Sequence, residues 1–126
     1  MCRLPAGAPW PALPPSRFVS VTRGGDELSV VCAEGWPIAG AVRAEGWRCL
    51  KLEGPFELTA SGILAPLAQA LAAAGVSVLP IATYDTDYLL VREAQLAAAL
   101  DAVRAAGWRV AAAPGFGSEV DRISSG

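Results

Sequence analysis

Apolar and polar positions change period in a regular way along residues 46–112, and the changes predict strand, helix, strand, turn, strand, helix, strand. Trp47–Glu53 sets Trp47, Cys49, Leu50 and Leu52 against Arg48, Lys51 and Glu53, as a half-buried strand does. Ile63–Ala74 spaces Ile63, Leu64, Leu67 and Leu71 along one helix face, and Gly75 supplies a stop. Val76–Tyr84 is rich in strand formers. Asp85-Thr86-Asp87 has turn chemistry, because aspartate side chains bond nearby backbone amides, and Tyr88–Val91 reads as the returning strand. Glu93–Ala106 places Leu96, Leu100 and Val103 on one face of a second helix; Gly107 ends it and Trp108–Ala111 is a last strand.

The two halves of this stretch echo each other. Ala73-Ala74-Gly75 recurs as Ala105-Ala106-Gly107, and Gly46-Trp47-Arg48 as Gly107-Trp108-Arg109. A doubled βαβ unit of this length predicts an α+β, ferredoxin-like layer of four antiparallel strands with both helices on one face. Residues 1–45 are different. Met1–Leu4 suits a short edge strand, Pro5–Pro15 an extended connector, and Phe18–Thr22 with Leu28–Cys32 a hairpin around Arg23-Gly24-Gly25-Asp26. Gly35-Trp36-Pro37 breaks the second strand, and Ile38–Glu45 reads as loop or a helical turn. Two strands are marginal alone, so the hairpin is expected to pack on or extend the later sheet as a degenerate partner unit. Residues 113–126 have no sustained period and read as a flexible tail.

Composition narrows the chemistry. The 126 residues are 53% hydrophobic with a formal charge of −2, and the ten Lys and Arg are scattered without a phosphate-binding cluster, so no nucleic acid partner is expected. Gly75 and Pro80 interrupt the longest apolar run, and the N-terminus lacks a signal-peptide layout, which predicts a cytoplasmic chain without a membrane span. Three cysteines (Cys2, Cys32, Cys49) without a Cys-x-x-Cys pair, and no histidine, do not make a zinc-type site; no metal or cofactor is expected. The missing histidine also removes Ser-His and Cys-His nucleophiles, so the chain reads as non-enzymatic.

Two places can carry recognition. Thr59 or Ser61 can cap the first helix, and Gly62 lets a ligand approach the backbone; the amides of such a helix start can hold a carboxylate, or only water. Asp85 and Asp87 either form the turn or offer an acidic group to an ammonium or guanidinium. Together these poles describe a free amino acid. The runs Gly54-Pro55-Phe56, Thr59-Ala60-Ser61-Gly62-Ile63-Leu64-Ala65 and Ala82-Thr83-Tyr84-Asp85-Thr86-Asp87-Tyr88-Leu89-Leu90-Val91 resemble the ACT-domain family. More narrowly, they resemble small bacterial ACT_7-type proteins related to the ACT modules of the eukaryotic cytosolic arginine sensor. The hairpin of residues 18–32 resembles the incomplete ACT-like unit of those proteins.

The resemblance implies a complete βαββαβ ACT module at 46–112 behind a truncated one at 1–45. It also implies pairing of ACT units, commonly as homodimers, and regulatory binding of an amino acid between units. Ser61, Gly62 and Ile63 match the loop whose amides meet the ligand's main-chain groups; Thr83 and Asp87 match strand positions on the same side, with Asp87 facing a basic side chain. With no enzyme, transporter or DNA-binding module read in these residues, the regulated partner is expected to be an unknown separate protein. The other reading is a structural or protein–protein module that binds no small molecule.

Overall fold

The computed structural model describes residues 1–16, 18–53, 62–111 and 120–125. They form two compact units, Met1–Gly46 and Trp47–Gly126, each with its own sheet and core.

The N-terminal unit is built from β1 (Cys2–Pro5), β2 (Ser20–Arg23), β3 (Glu27–Val31) and β4 (Val42–Arg43), in the order β2-β3-β1-β4 with every pair antiparallel. Cys2 and Leu4 alternate onto one face beside Leu28 and Val30, and Ile38 completes a small core. Among the described residues this unit has no helix. The proline-rich segment after β1 lies over the core instead, with Ala8 and Leu13 packed against it. Proline brings no N–H to the backbone, so the strap's carbonyls find side-chain donors. Arg23 donates to the carbonyls of Ala6 and Ala8 and lies 5.9 Å from the Trp10 ring centre, and Trp36 Nε1 donates to Ala12 O at 2.8 Å.

Two expectations change here. The first strand is central, and the hairpin builds its own four-stranded sheet rather than extending the later one. Both follow from the buried pair Cys2 and Leu4, which gives β1 a core face against β3. Ile38–Glu45 also contains β4.

The C-terminal unit runs β5 (Trp47–Leu52), α1 (Leu64–Ala73), β6 (Val78–Ala82), β7 (Asp87–Arg92), a 3-10 turn (Glu93–Gln95), α2 (Leu96–Ala105), β8 (Trp108–Ala111) and β9 (Val120–Ser125). Leu50 and Leu52 of β5, Leu89 and Val91 of β7 and Ile123 of β9 share one face, on which Leu67 and Leu71 of α1 and Ala99 and Val103 of α2 are fully buried. Both helices therefore cover the same side, as the duplicated pattern predicts. Alanine at position 99, flanked by half-buried Leu96 and Leu100, lets α2 approach the sheet closely.

Gly75 stops α1 in the left-handed region at φ 76°, with Val76 N donating to Leu71 O and Gly75 N to Ala72 O, both at 3.0 Å. That is a Schellman ending, and its apolar contact is present because Val76 and Leu71 share the core. The Gln95 amide then fixes the exit: Nε2 donates to Gly75 O at 2.9 Å and Oε1 accepts from Ser77 N at 3.3 Å.

The strand order β6-β7-β5-β9-β8 contains the expected ferredoxin-like order with one insertion. β9 lies between β5 and β8, parallel to the first and antiparallel to the second, so residues 113–126 are not a flexible tail over Val120–Ser125. The cause is packing. Ile123 faces Leu52 and Val110 in register and is fully buried, and the ion pairs Arg48–Asp121 (3.2 Å) and Arg122–Glu53 tie the strand to β5. Without the inserted strand, β1–β4 and β5–β8 follow the same order around their sheets. Pro80 sits on edge strand β6 opposite Leu89, one pair beyond a bonded pair, so its missing donor faces away from β7.

Removing the apolar contact of the inserted strand should be costly. Ile123→Ala is expected to lower stability by about 2–5 kcal/mol in urea denaturation; an unchanged midpoint would mean that β9 is not seated in the core. A second prediction concerns pH. Burial, then the Asp121 carboxylate, pushes the Cys49 thiol up to about 12. The folded state therefore keeps a proton that the unfolded chain loses near 9, so stability is full below pH 9 and falls as pH rises toward 12. The raised Cys32 thiol and Tyr88 phenol act in the same sense. Denaturation midpoints measured from pH 8 upward should fall, and Cys49→Ala should flatten the slope.

Candidate functional site

The end of the C-terminal unit where β5 and β6 finish is also where β7 and α1 begin. α1 ends beside the start of β6, where Gln95 holds Gly75 O and Ser77 N, so its first turn lies toward the end of this unit that carries the β6–β7 connection. A side-chain bond reinforces the arrangement. Thr86 is buried, and its Oγ1 donates to the carbonyl of Leu52, the last residue of β5, at 2.5 Å.

The turn itself is a threonine device. Thr83 N donates to Thr86 O at 2.8 Å, Thr83 Oγ1 donates to the same oxygen at 3.0 Å, and Thr86 N donates back to Thr83 Oγ1 at 3.2 Å. The turn thus spans Thr83–Thr86, and the aspartates do not build it. Asp85 is exposed in the loop, and Asp87 is half-buried as the first residue of β7. Among the described residues neither carboxylate has a hydrogen bond or ion pair, so the turn-forming role expected of them falls to Thr83 and Thr86.

Asp87 alternates with Leu89 and Val91, and therefore lies on the helix-covered face. One step past the Lys51–Tyr88 register it stands beside Leu52. Asp85, two residues earlier but in the loop, does not share that strand face by alternation. Tyr88 points to the opposite face; its phenol is raised by burial, then by Cys49 and Glu53, and it does not belong to this corner.

At the helix start, Gly62 adopts φ 77°, a left-handed conformation that fits glycine, and Ile63 occupies the cap position without a side-chain bond. The expected caps Thr59 and Ser61, and the ligand-loop role of Ser61, lie outside the described residues. Pro66 in the first turn removes one donor, so the free amides of this helix start are those around Ile63, Leu64 and Ala65. Thr83 is exposed and Ile63 half-buried. The sequence reading singled out the aspartates and missed Thr86 as the residue that fixes the corner; its signal was a threonine three residues after another in a short loop. Among the described residues, no group of three or more Cys, Asp or Glu is arranged to hold a metal ion, and no helix is long and apolar enough to cross a membrane.

The family model for the ACT domain, of the ACT_7 type, matches residues 42–105, from β4 through α2. No curated protein matches the chain. The crystal structure of protein Atu0741 from Agobacterium tumefaciens is similar: 36% identical, with a TM-score of 0.76, over 84% of this chain and 80% of that one. ACT modules are typically regulatory rather than catalytic, often bind small ligands, and commonly pair. From the match over half its length and the shared architecture, the chain belongs to the ACT domain family.

Proposed function

We propose that the chain is a non-catalytic cytoplasmic sensor whose complete ACT module, residues 46–112, binds a free amino acid at the corner between the α1 start and the β6–β7 turn. Residues 1–45 act as the truncated ACT-like unit, a reading supported by the strand order they share with β5–β8. The carrying observation is Asp87: a half-buried carboxylate on the helix-covered face, at the end where α1 begins, with no partner among the described residues. A buried or half-buried charge without a partner is costly, and a ligand cation would relieve it.

In this reading the amides around Ser61, Gly62 and Ile63 take the ligand's carboxylate, helped by the positive end of the α1 dipole. Thr83 and Asp85 line the approach, and Asp87 takes an ammonium or guanidinium. Kinship with the ACT modules of the eukaryotic cytosolic arginine sensor would favour a basic side chain, which a carboxylate at Asp87 suits.

A thermal-shift screen of the twenty amino acids tests the proposal. A true ligand at a hundred times its Kd adds about 2.7 kcal/mol of stability, a shift of several degrees for a unit of this size. The shift should be lost in Asp87→Asn while the ligand-free melting temperature stays close to that of the parent. Absence of any shift at millimolar concentrations, or an equal shift in Asp87→Asn, would count against the site.

A further inference from the structure

Two of the three cysteines come together in the N-terminal unit. Cys2 pairs with Val30, and Cys32 lies two residues after Val30, one past the end of β3; both pack on the same small core, so the two are diagonal neighbours at this end of the sheet. Both belong to the cluster of Leu4, Leu28 and Val30, Cys2 buried and Cys32 partly so, and both are free thiols. Arg43 closes the pair from β4. Its Nη1 donates to Cys2 Sγ at 3.6 Å, and its Nη2 is held by Trp36 O at 2.6 Å.

Diagonal neighbours across an antiparallel pair stand about 7–8 Å apart at Cα. A direct disulfide spans that only if the backbone moves, since bonded cysteines keep their Cα atoms within about 7 Å. An atom placed between the sulfurs suits the gap better. Zinc requires four ligands, and no third His, Cys, Asp or Glu joins the pair among the described residues. Thiolates select soft cations such as Cu(I), whose low coordination number suits two sulfurs.

We propose that Cys2 and Cys32 form a two-coordinate Cu(I) site. One Cu(I) ion displaces the proton from each thiol and forms two Cu–S bonds; two protons leave, and no electron is transferred. The resulting site carries one negative charge, which the Arg43 guanidinium at the Cys2 sulfur balances. Cys49 lies in the other sheet and takes no part.

The test is an anaerobic titration of the reduced full chain with Cu(I) buffered by bathocuproine disulfonate. The expected result is one Cu(I) per chain, near-ultraviolet thiolate-to-copper absorption, and release of two protons per ion. Cys2→Ser and Cys32→Ser should each weaken uptake about a hundredfold or more, since one of two tethered ligands is lost, and Cys49→Ser should bind as the parent does. Circular dichroism of each variant separates lost binding from lost folding. No uptake by the folded parent would overturn the site, as would unchanged uptake in folded Cys32→Ser. So would loss of uptake in Cys49→Ser alone, or quantitative Cys2–Cys32 disulfide formation under mild oxidation in a protein that takes up no copper.

Discussion

The C-terminal sheet depends on the seating of β9 between β5 and β8. Without it the two neighbours would each lose a hydrogen-bonded partner, because they bond to β9 and not to each other. The strand is largely polar, so its hold comes from few contacts: Ile123 in the core, Val120 buried, Glu53 N donating to Ile123 O at 2.7 Å, and two ion pairs to the end and start of β5. Partly exposed ion pairs contribute little free energy, roughly 0–1 kcal/mol each. Their value is positional. A slip of one residue would turn Ile123 out of the core, and a slip of two would part both pairs.

The two units solve one topological problem with different coverings. In the C-terminal unit two alanine-rich helices shield the sheet. In the N-terminal unit a proline-rich strap and a loop do so, held by Arg23, Trp36 and Arg43 donating to strap and loop carbonyls. A helix satisfies its own backbone; a strap must borrow donors from side chains. That is why this small unit spends two arginines and a tryptophan indole on main-chain oxygens, and why its core, among the described residues, holds five buried apolar residues against ten in the other.

Much of this was legible in the residues. The Ala-Ala-Gly endings marked both helix stops, and alternation in Trp47–Glu53 and Tyr88–Val91 marked the central strands, because each follows from local chemistry. β9 was not legible: Val120 and Ile123 are three apart, on opposite faces, so the segment has no alternation of its own and becomes a strand only through its neighbours. β1 read as an edge for the same reason, since its second partner, β4, is two residues long. At the candidate corner the acidic residues drew attention by charge, whereas the groups that set its shape are neutral. Thr86 and the Leu52 carbonyl meet across 34 positions, a separation that no local pattern reveals.

The placement of β9 also dictates when the sheet can close. Synthesis delivers β5, β6, β7 and β8 before the strand that belongs in their midst, so the nascent C-terminal unit must wait with a gap between β5 and β8. Loop-closure entropy is then spent last on the longest-range pairing, β5 with β9, which makes that step slow and leaves two unsatisfied strand edges exposed meanwhile. The N-terminal unit has no such debt: its last strand, β4, joins an outer edge, and it can finish while the rest of the chain is still emerging.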